Sequence, residues 1–276
     1  MTLSNRNIFL KSGIVFSALC VLLIIAASFV TIPAYSSIDT ENIKRPSGFF
    51  QMIIGRFSKP NFYAVHSSIA VLVLYSLAAL GLIYYYFEKT QSPEILFIAF
   101  FVTSLACESA RLVLPLQQIF EIPFFYLFVA SRILLFGRYF GLFSLFAASV
   151  YAAGLETQKQ RNFIFVVIIT SLVIALGTPI DTFSWNTNFN TIYGYASMFQ
   201  MLNALVLLIT IASFLVTAYL RGSREYIFVG IGTFLVFTGR DILISADSWA
   251  GLPGIILLSL GAWFICSYLH KVYLWL

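Results

Sequence analysis

The stretch "CESARLVLPL", Cys107–Leu116, sets a carboxylate, Glu108, three residues before a guanidinium, Arg111, in an otherwise apolar run. At helical spacing the two share a face and can pair. The same kind of interruption recurs along the chain. Arg132 and Arg138 lie within one apolar run, Gln200 and Asn203 within another, and Arg240 and Asp241 stand side by side in a third, while His66 opens a fourth. Arginine forks match carboxylate and phosphate groups, so this set suits recognition of a small anionic or zwitterionic molecule. Acid or base chemistry would fall to Glu108 or Asp241. The sequence holds no HExxH, no GxSxG and no Cys/His cluster, and it has only two histidines, which argues against a metalloenzyme or a serine hydrolase. No cofactor or metal is called for. Lys271 falls at the edge of the last apolar run, which disfavours a retinal Schiff base.

The elements that carry these residues are membrane spans. Charged residues are 10% of the chain and hydrophobic residues 60%, against about 25% charged for a soluble domain. Apolar runs of about 20 residues recur from end to end, which reads as an all-α, polytopic transmembrane bundle in a lipid bilayer. The alternation of a membrane barrel is absent. Eight spans are expected, at 12–34, 63–87, 94–114, 123–153, 162–180, 192–220, 225–246 and 252–274. With the N-terminus inside, eight Lys and Arg residues fall on the cytoplasmic side and four outside. That asymmetry favours an N-in, C-in topology. The net charge of +5 comes from residues scattered over helix ends, so nucleic acid is not an expected partner.

The organisation expected is a signal-anchor-like helix over 1–34, an outer loop over 35–62 and a seven-helix body over 63–276. Arg6 and Lys11 precede the first run, whose apolar length exceeds a cleaved signal peptide's and whose cleavage site is poor. In the outer loop, "SGFFQMIIGRF" (47–57) suits a short helix in the membrane interface or a segment capping the bundle. Gly137 and Gly141 form a small-xxx-small pair, and Gly230, Gly232, Gly239, Gly254 and Gly261 are read as close helix contacts of the same kind. The three cysteines are expected to be buried small hydrophobes. Trp185 and Trp249 are expected to mark the outer interface.

This topology places Glu108, Arg111, Arg132, Gln200, Asn203, Arg240, Asp241 and His66 in the outer half of the membrane. Glu108 is expected to pair with Arg111 and, across an antiparallel neighbour, with Arg132. Arg138 is left without an obvious carboxylate. Charges at such depth cost about 2.5–3.5 kcal/mol each on insertion scales, so they must find partners. Two readings stand open: an ion-pair network that only holds the helices together, and a water-filled cavity open to the outside that binds a ligand. The role expected is a non-enzymatic sensor-like or accessory module of a cell membrane, a bacterial inner membrane by its features. The alternatives are a small-solute or proton-coupled transporter using the same cluster, and a lipid-modifying enzyme. In helix count, an anchor plus seven helices resembles bacterial seven-helix sensory modules. Since no output domain follows the last span, that resemblance implies a separate signalling or complex subunit.

Overall fold

A computed structural model describes residues 3–34, 43, 45, 58–88 and 92–274. The expected interfacial segment 47–57 lies outside them. Among the described residues, eight helical units are long and apolar enough to cross a membrane, running Ser4–Thr31, Phe62–Phe87, Pro93–Phe120, Phe124–Ala152, Gln160–Gly177, Ala196–Arg221, Glu225–Ser245 and Trp249–Tyr273. The protein is a multi-pass, all-α membrane bundle. Its elements are α1 (Leu3–Thr31), α2 (Phe62–Phe87), α3 (Pro93–Leu105), α4 (Val113–Phe120), α5 (Phe124–Ala152), α6 (Gln160–Gly177), α7 (Ala196–Arg221), α8 (Glu225–Ser245) and α9 (Gly254–Leu274). Many large side chains face outward, such as Val173 and Leu176 on α6 and Leu208 and Leu220 on α7. A bilayer accounts for apolar surface on that scale, which water would not tolerate.

Three boundaries differ from the expectation. The first helix begins at Leu3 rather than near residue 12. The third span does not end before Pro115 but continues to Phe120. It changes winding at the residues that opened the analysis: Ala106–Leu112 form a 3₁₀ segment joining α3 to α4. Pro115 has no N–H for the Arg111 carbonyl four residues back, and its ring crowds that carbonyl, so the preceding turn tightens. The sixth span starts at Ala196 because a two-stranded antiparallel hairpin, β1 (Ile180–Trp185) and β2 (Thr191–Tyr193), precedes it. The hairpin was not foreseen.

Contacts fix which ends lie together. Arg6 on α1 donates to the carbonyls of Phe87 and Glu88 at the end of α2, both at 2.7 Å. Phe87 meets His270 of α9 ring to ring, and Tyr273 of α9 donates to Glu94 at the start of α3. The opposite end carries the hairpin. There the Asn61 N–H donates to the Asp247 carbonyl at 2.7 Å, and Phe62 packs on Phe189. α1 belongs to the bundle: Leu10, Ser17 and Cys20 are buried, and Ser17 meets Ser76 of α2 at 2.9 Å.

Glycines set two close helix crossings. On α8 and α9, a Cβ at Gly232 would lie 2.8 Å from the Gly261 carbonyl, and one at Gly239 would lie 2.6 Å from the Gly254 carbonyl. Only hydrogen fits there, so the two helices pack backbone to backbone. On α5, a Cβ at Gly137 would stand 2.5 Å from Cys107 Cβ, and one at Gly141 would overlap Ser104. α5 is thereby pressed against the 3₁₀ segment, and it also packs on α3, α6 and α7. Gly230 is different, with Phe214 at an ordinary 3.5 Å.

Candidate functional site: an ion-paired wall beside a polar cavity

The Gly137–Cys107 contact brings their sequence neighbours, Arg138 and Glu108, face to face. Arg138 Nε donates to Glu108 Oε1 at 2.8 Å and Nη2 to Oε2 at 2.9 Å, a bidentate pair. Arg111 Nη1 approaches the same carboxylate at 3.6 Å. The 3₁₀ winding helps, since residues three apart eclipse at three residues per turn. Glu108 and Arg111 are each only 2% exposed, so without these partners their charges would carry a desolvation cost of several kcal/mol each.

The expected pairing of Glu108 with Arg132 is therefore wrong, and so is the expectation that Arg138 lacks a carboxylate. The reason is depth. Because the third span runs on past Pro115, Glu108 sits at its middle, level with Arg138 at the middle of α5. Arg132 lies nearly two helical turns nearer the hairpin end. It donates to the carbonyls of Ala175 and Thr178 where α6 stops, and its guanidinium lies 4.6 Å from the Phe128 ring. There it satisfies helix-terminal carbonyls that have no intrahelical partner.

The hairpin closes the arrangement. Its turn, "NTNFN" (186–190), is held by the Asn186 N–H donating to the Asn190 carbonyl at 2.8 Å. Phe189 adopts φ 59° and is buried against Phe62. A non-glycine residue reaches that left-handed region at a cost of about 1–3 kcal/mol, which the surrounding contacts must outweigh. Two of its asparagines then make the inward contacts. Asn190 Oδ1 accepts from Arg138 Nη2 at 2.8 Å, and the Asn188 carbonyl accepts from Arg111 Nε at 3.0 Å. Asn188 Nδ2 donates to the Ile244 carbonyl on α8 at 3.1 Å. Trp185 packs inward beside Phe189 rather than serving only as a surface anchor.

Next to this wall is a cavity of about 420 Å³. Its polar lining comes from α5 (Arg138, Tyr139), the hairpin turn (Asn186, Asn188, Asn190), α7 (Gln200, Asn203) and α8 (Arg240, Asp241, Ser245), with Arg45 also reaching it. Leu135, Phe199, Phe237 and Ile244 supply apolar walls. The volume and the mix of apolar surface with a few convergent polar groups are those of small-molecule sites. The charges are held unequally. Arg138 is matched by Glu108, and Arg45 lies 4.0 Å from Asp247. Arg240, 6% exposed, gives one Nη2–H to the Arg138 carbonyl at 3.0 Å and lies 6.0 Å from the Phe101 ring. Neither Arg240 nor Asp241 forms an ion pair within 4 Å among the described residues.

Of the residues expected to form one site, Gln200, Asn203, Arg240 and Asp241 line the cavity. Glu108 and Arg111 stand behind its wall and hold Arg138 and the hairpin. Arg132 and His66 are elsewhere: His66 Nε2 shares a 2.7 Å hydrogen bond with Ser28 of α1, and its ring stacks near Phe62. Arg138 is named in the sequence reading but left without its partner, while the hairpin asparagines are the residues that the sequence reading does not single out. The N-x-N-x-N spacing over 186–190 was their available signal, since asparagine favours turns and tolerates left-handed backbone. No group of three His, Cys, Asp or Glu side chains is gathered for a metal among the described residues.

No protein-family model matches the chain. Over 201 residues it is 27% identical to an uncharacterized protein of Treponema pallidum (strain Nichols). The match covers 66% of this chain and spans only 58% of that protein's length. The likeness attaches no activity to the cavity.

Proposed function

We propose that this membrane protein binds a small anionic or zwitterionic molecule in the cavity under the hairpin and acts as a sensor-like or accessory module. The reading rests on one observation: Arg240 and Asp241 line a roomy cavity within the bundle without a charge partner at contact distance among the described residues. A network built only for assembly has reason to pair such groups, because each unpaired buried charge costs several kcal/mol. Glu108, Arg138 and Arg111 act as positioning residues, which fix the wall and tie the hairpin turn to it.

We place the hairpin end outside, following the Lys and Arg asymmetry of the sequence, in a bacterial inner membrane. The half of the bundle away from the hairpin is filled by Phe97, Leu145, Tyr151, Phe214 and Leu269. That packing supports a closed binding site over a transport path. A sensor-like role also requires a partner subunit, which purification in mild detergent should recover. The direct test is thermal unfolding of the detergent-solubilised protein with millimolar small carboxylates, phosphates and amino acids. A concentration-dependent rise in Tm that disappears in Arg240→Gln is expected. A flat response to every compound, or a rise that survives Arg240→Gln, refutes the reading.

A further inference from the structure

The cavity's polar groups divide by sign, and the division points to one ligand class. We propose that the ligand carries both an anionic group and an N–H-bearing ammonium, separated by a short linker, with the anion on Arg240 and the ammonium on Asp241 and Asn188. The inference rests on the binding function proposed above and specifies what binds.

Three observations carry it. First, Arg240 lines the cavity and its guanidinium is fixed by an Nη2–H on the Arg138 carbonyl, the one hydrogen bond it makes among the described residues. Arg138, the other arginine on this wall, is already engaged by the Glu108 carboxylate and by Asn190. An incoming anion therefore meets Arg240 as the uncommitted guanidinium of that wall. Second, Asp241 lines the same cavity with no ion pair within 4 Å among the described residues. A cavity built for a simple anion gains nothing from a carboxylate, which would repel the ligand. Third, Asn188 is 2% exposed and lines the cavity, yet its Oδ1 has no hydrogen-bond partner among the described residues. Its orientation is settled by chemistry: Nδ2 donates to the Ile244 carbonyl, and only the amide nitrogen can do so. The buried Oδ1 is thus the free acceptor of a residue on the cavity wall, within a small side-chain turn of the cavity it lines. An ammonium N–H satisfies both Asp241 and Asn188.

Two sources offer this chemistry: a free amino-acid-like solute, and the phosphoethanolamine headgroup of a lipid. The probes are chosen to separate the charges first. Butyrate presents the anion alone, butylammonium the cation alone, and 4-aminobutyrate both. Phosphoethanolamine and choline phosphate share an anion, but the quaternary nitrogen of choline has no N–H. Binding to the detergent-solubilised protein is measured by calorimetry and by shift in Tm.

The expected result is that 4-aminobutyrate or phosphoethanolamine binds at least about tenfold more tightly than its single-charge or quaternary counterpart, the scale of one charge-assisted hydrogen bond. Asp241→Asn, which removes a charge without breaking an ion pair, should erase that preference and bring butyrate level with 4-aminobutyrate. Lipid nanodiscs separate the sources. Protection by phosphatidylethanolamine over phosphatidylglycerol assigns the charge pair to a headgroup, and protection by the free probes assigns it to a solute. Butyrate binding the unaltered protein as tightly as 4-aminobutyrate, or a preference unchanged by Asp241→Asn, overturns the inference and leaves anion binding standing. Failure of every probe and of both lipids overturns the inference and the binding function together.

Discussion

Glu108 and Asp241 are both carboxylates inside apolar spans, and they are treated in opposite ways. Glu108 is gripped by two nitrogens of Arg138 at 2.8 and 2.9 Å and by Arg111 at 3.6 Å. Asp241 has no ion-pair partner within 4 Å among the described residues and faces a cavity of about 420 Å³. The difference separates a charge that holds the fold from a charge kept for something else. In a medium where each charge is costly, saturation of partners marks the structural member, and on the function proposed above its lack marks the recognising one.

The largest effect should come from breaking the saturated side. Glu108→Gln keeps the shape but leaves Arg138 and Arg111 uncompensated, so a loss of about 3–5 kcal/mol is expected in reversible denaturant unfolding in mixed micelles. A loss below that of any cavity substitution would erase the distinction between the two carboxylates. Next comes the contact that delivers Arg138. Gly137→Ala sets a methyl 2.5 Å from Cys107 Cβ, and overpacking of this kind costs about 1–3 kcal/mol. The measurement is the same unfolding transition, and Gly230→Ala, which has room, is the control expected to change little. The smallest loss of stability belongs to the cavity: Asp241→Asn removes a charge with no ion-pair partner within 4 Å among the described residues, so the unfolding free energy should hold or rise. If that substitution proves as destabilising as Glu108→Gln, Asp241 is a structural group and the cavity reading weakens.

The spans were legible because about 20 apolar residues are a physical requirement of crossing lipid, and the runs in this chain meet it one after another. The Gly137–Gly141 seam was legible for a similar reason, since small residues four apart permit one particular packing. The partner of Glu108 was not. Pairing by depth depends on where a span ends, and Pro115 reads as an end although the chain absorbs it by tightening into a 3₁₀ turn. The hairpin was hidden because its three-residue β2 is too short to show alternation and its turn has no Asn-Gly or Asp-Gly mark. The hold of Arg111 on Asn188 lay beyond reach altogether, because it engages a backbone carbonyl that any residue would supply. Arg240, Asp241, Gln200 and Asn203 were found by residue type alone, as polar side chains in apolar helices.

Water access to the cavity from the hairpin end tests the central claim most directly. With the native cysteines replaced, Ser245→Cys on the cavity wall and Ala106→Cys in the packed 3₁₀ segment are exposed to a charged, membrane-impermeant thiol reagent in right-side-out vesicles. The account predicts labelling at Ser245→Cys, slowed by whichever probe binds, and none at Ala106→Cys. An unreactive Ser245→Cys, or equal labelling at the two positions, would contradict it.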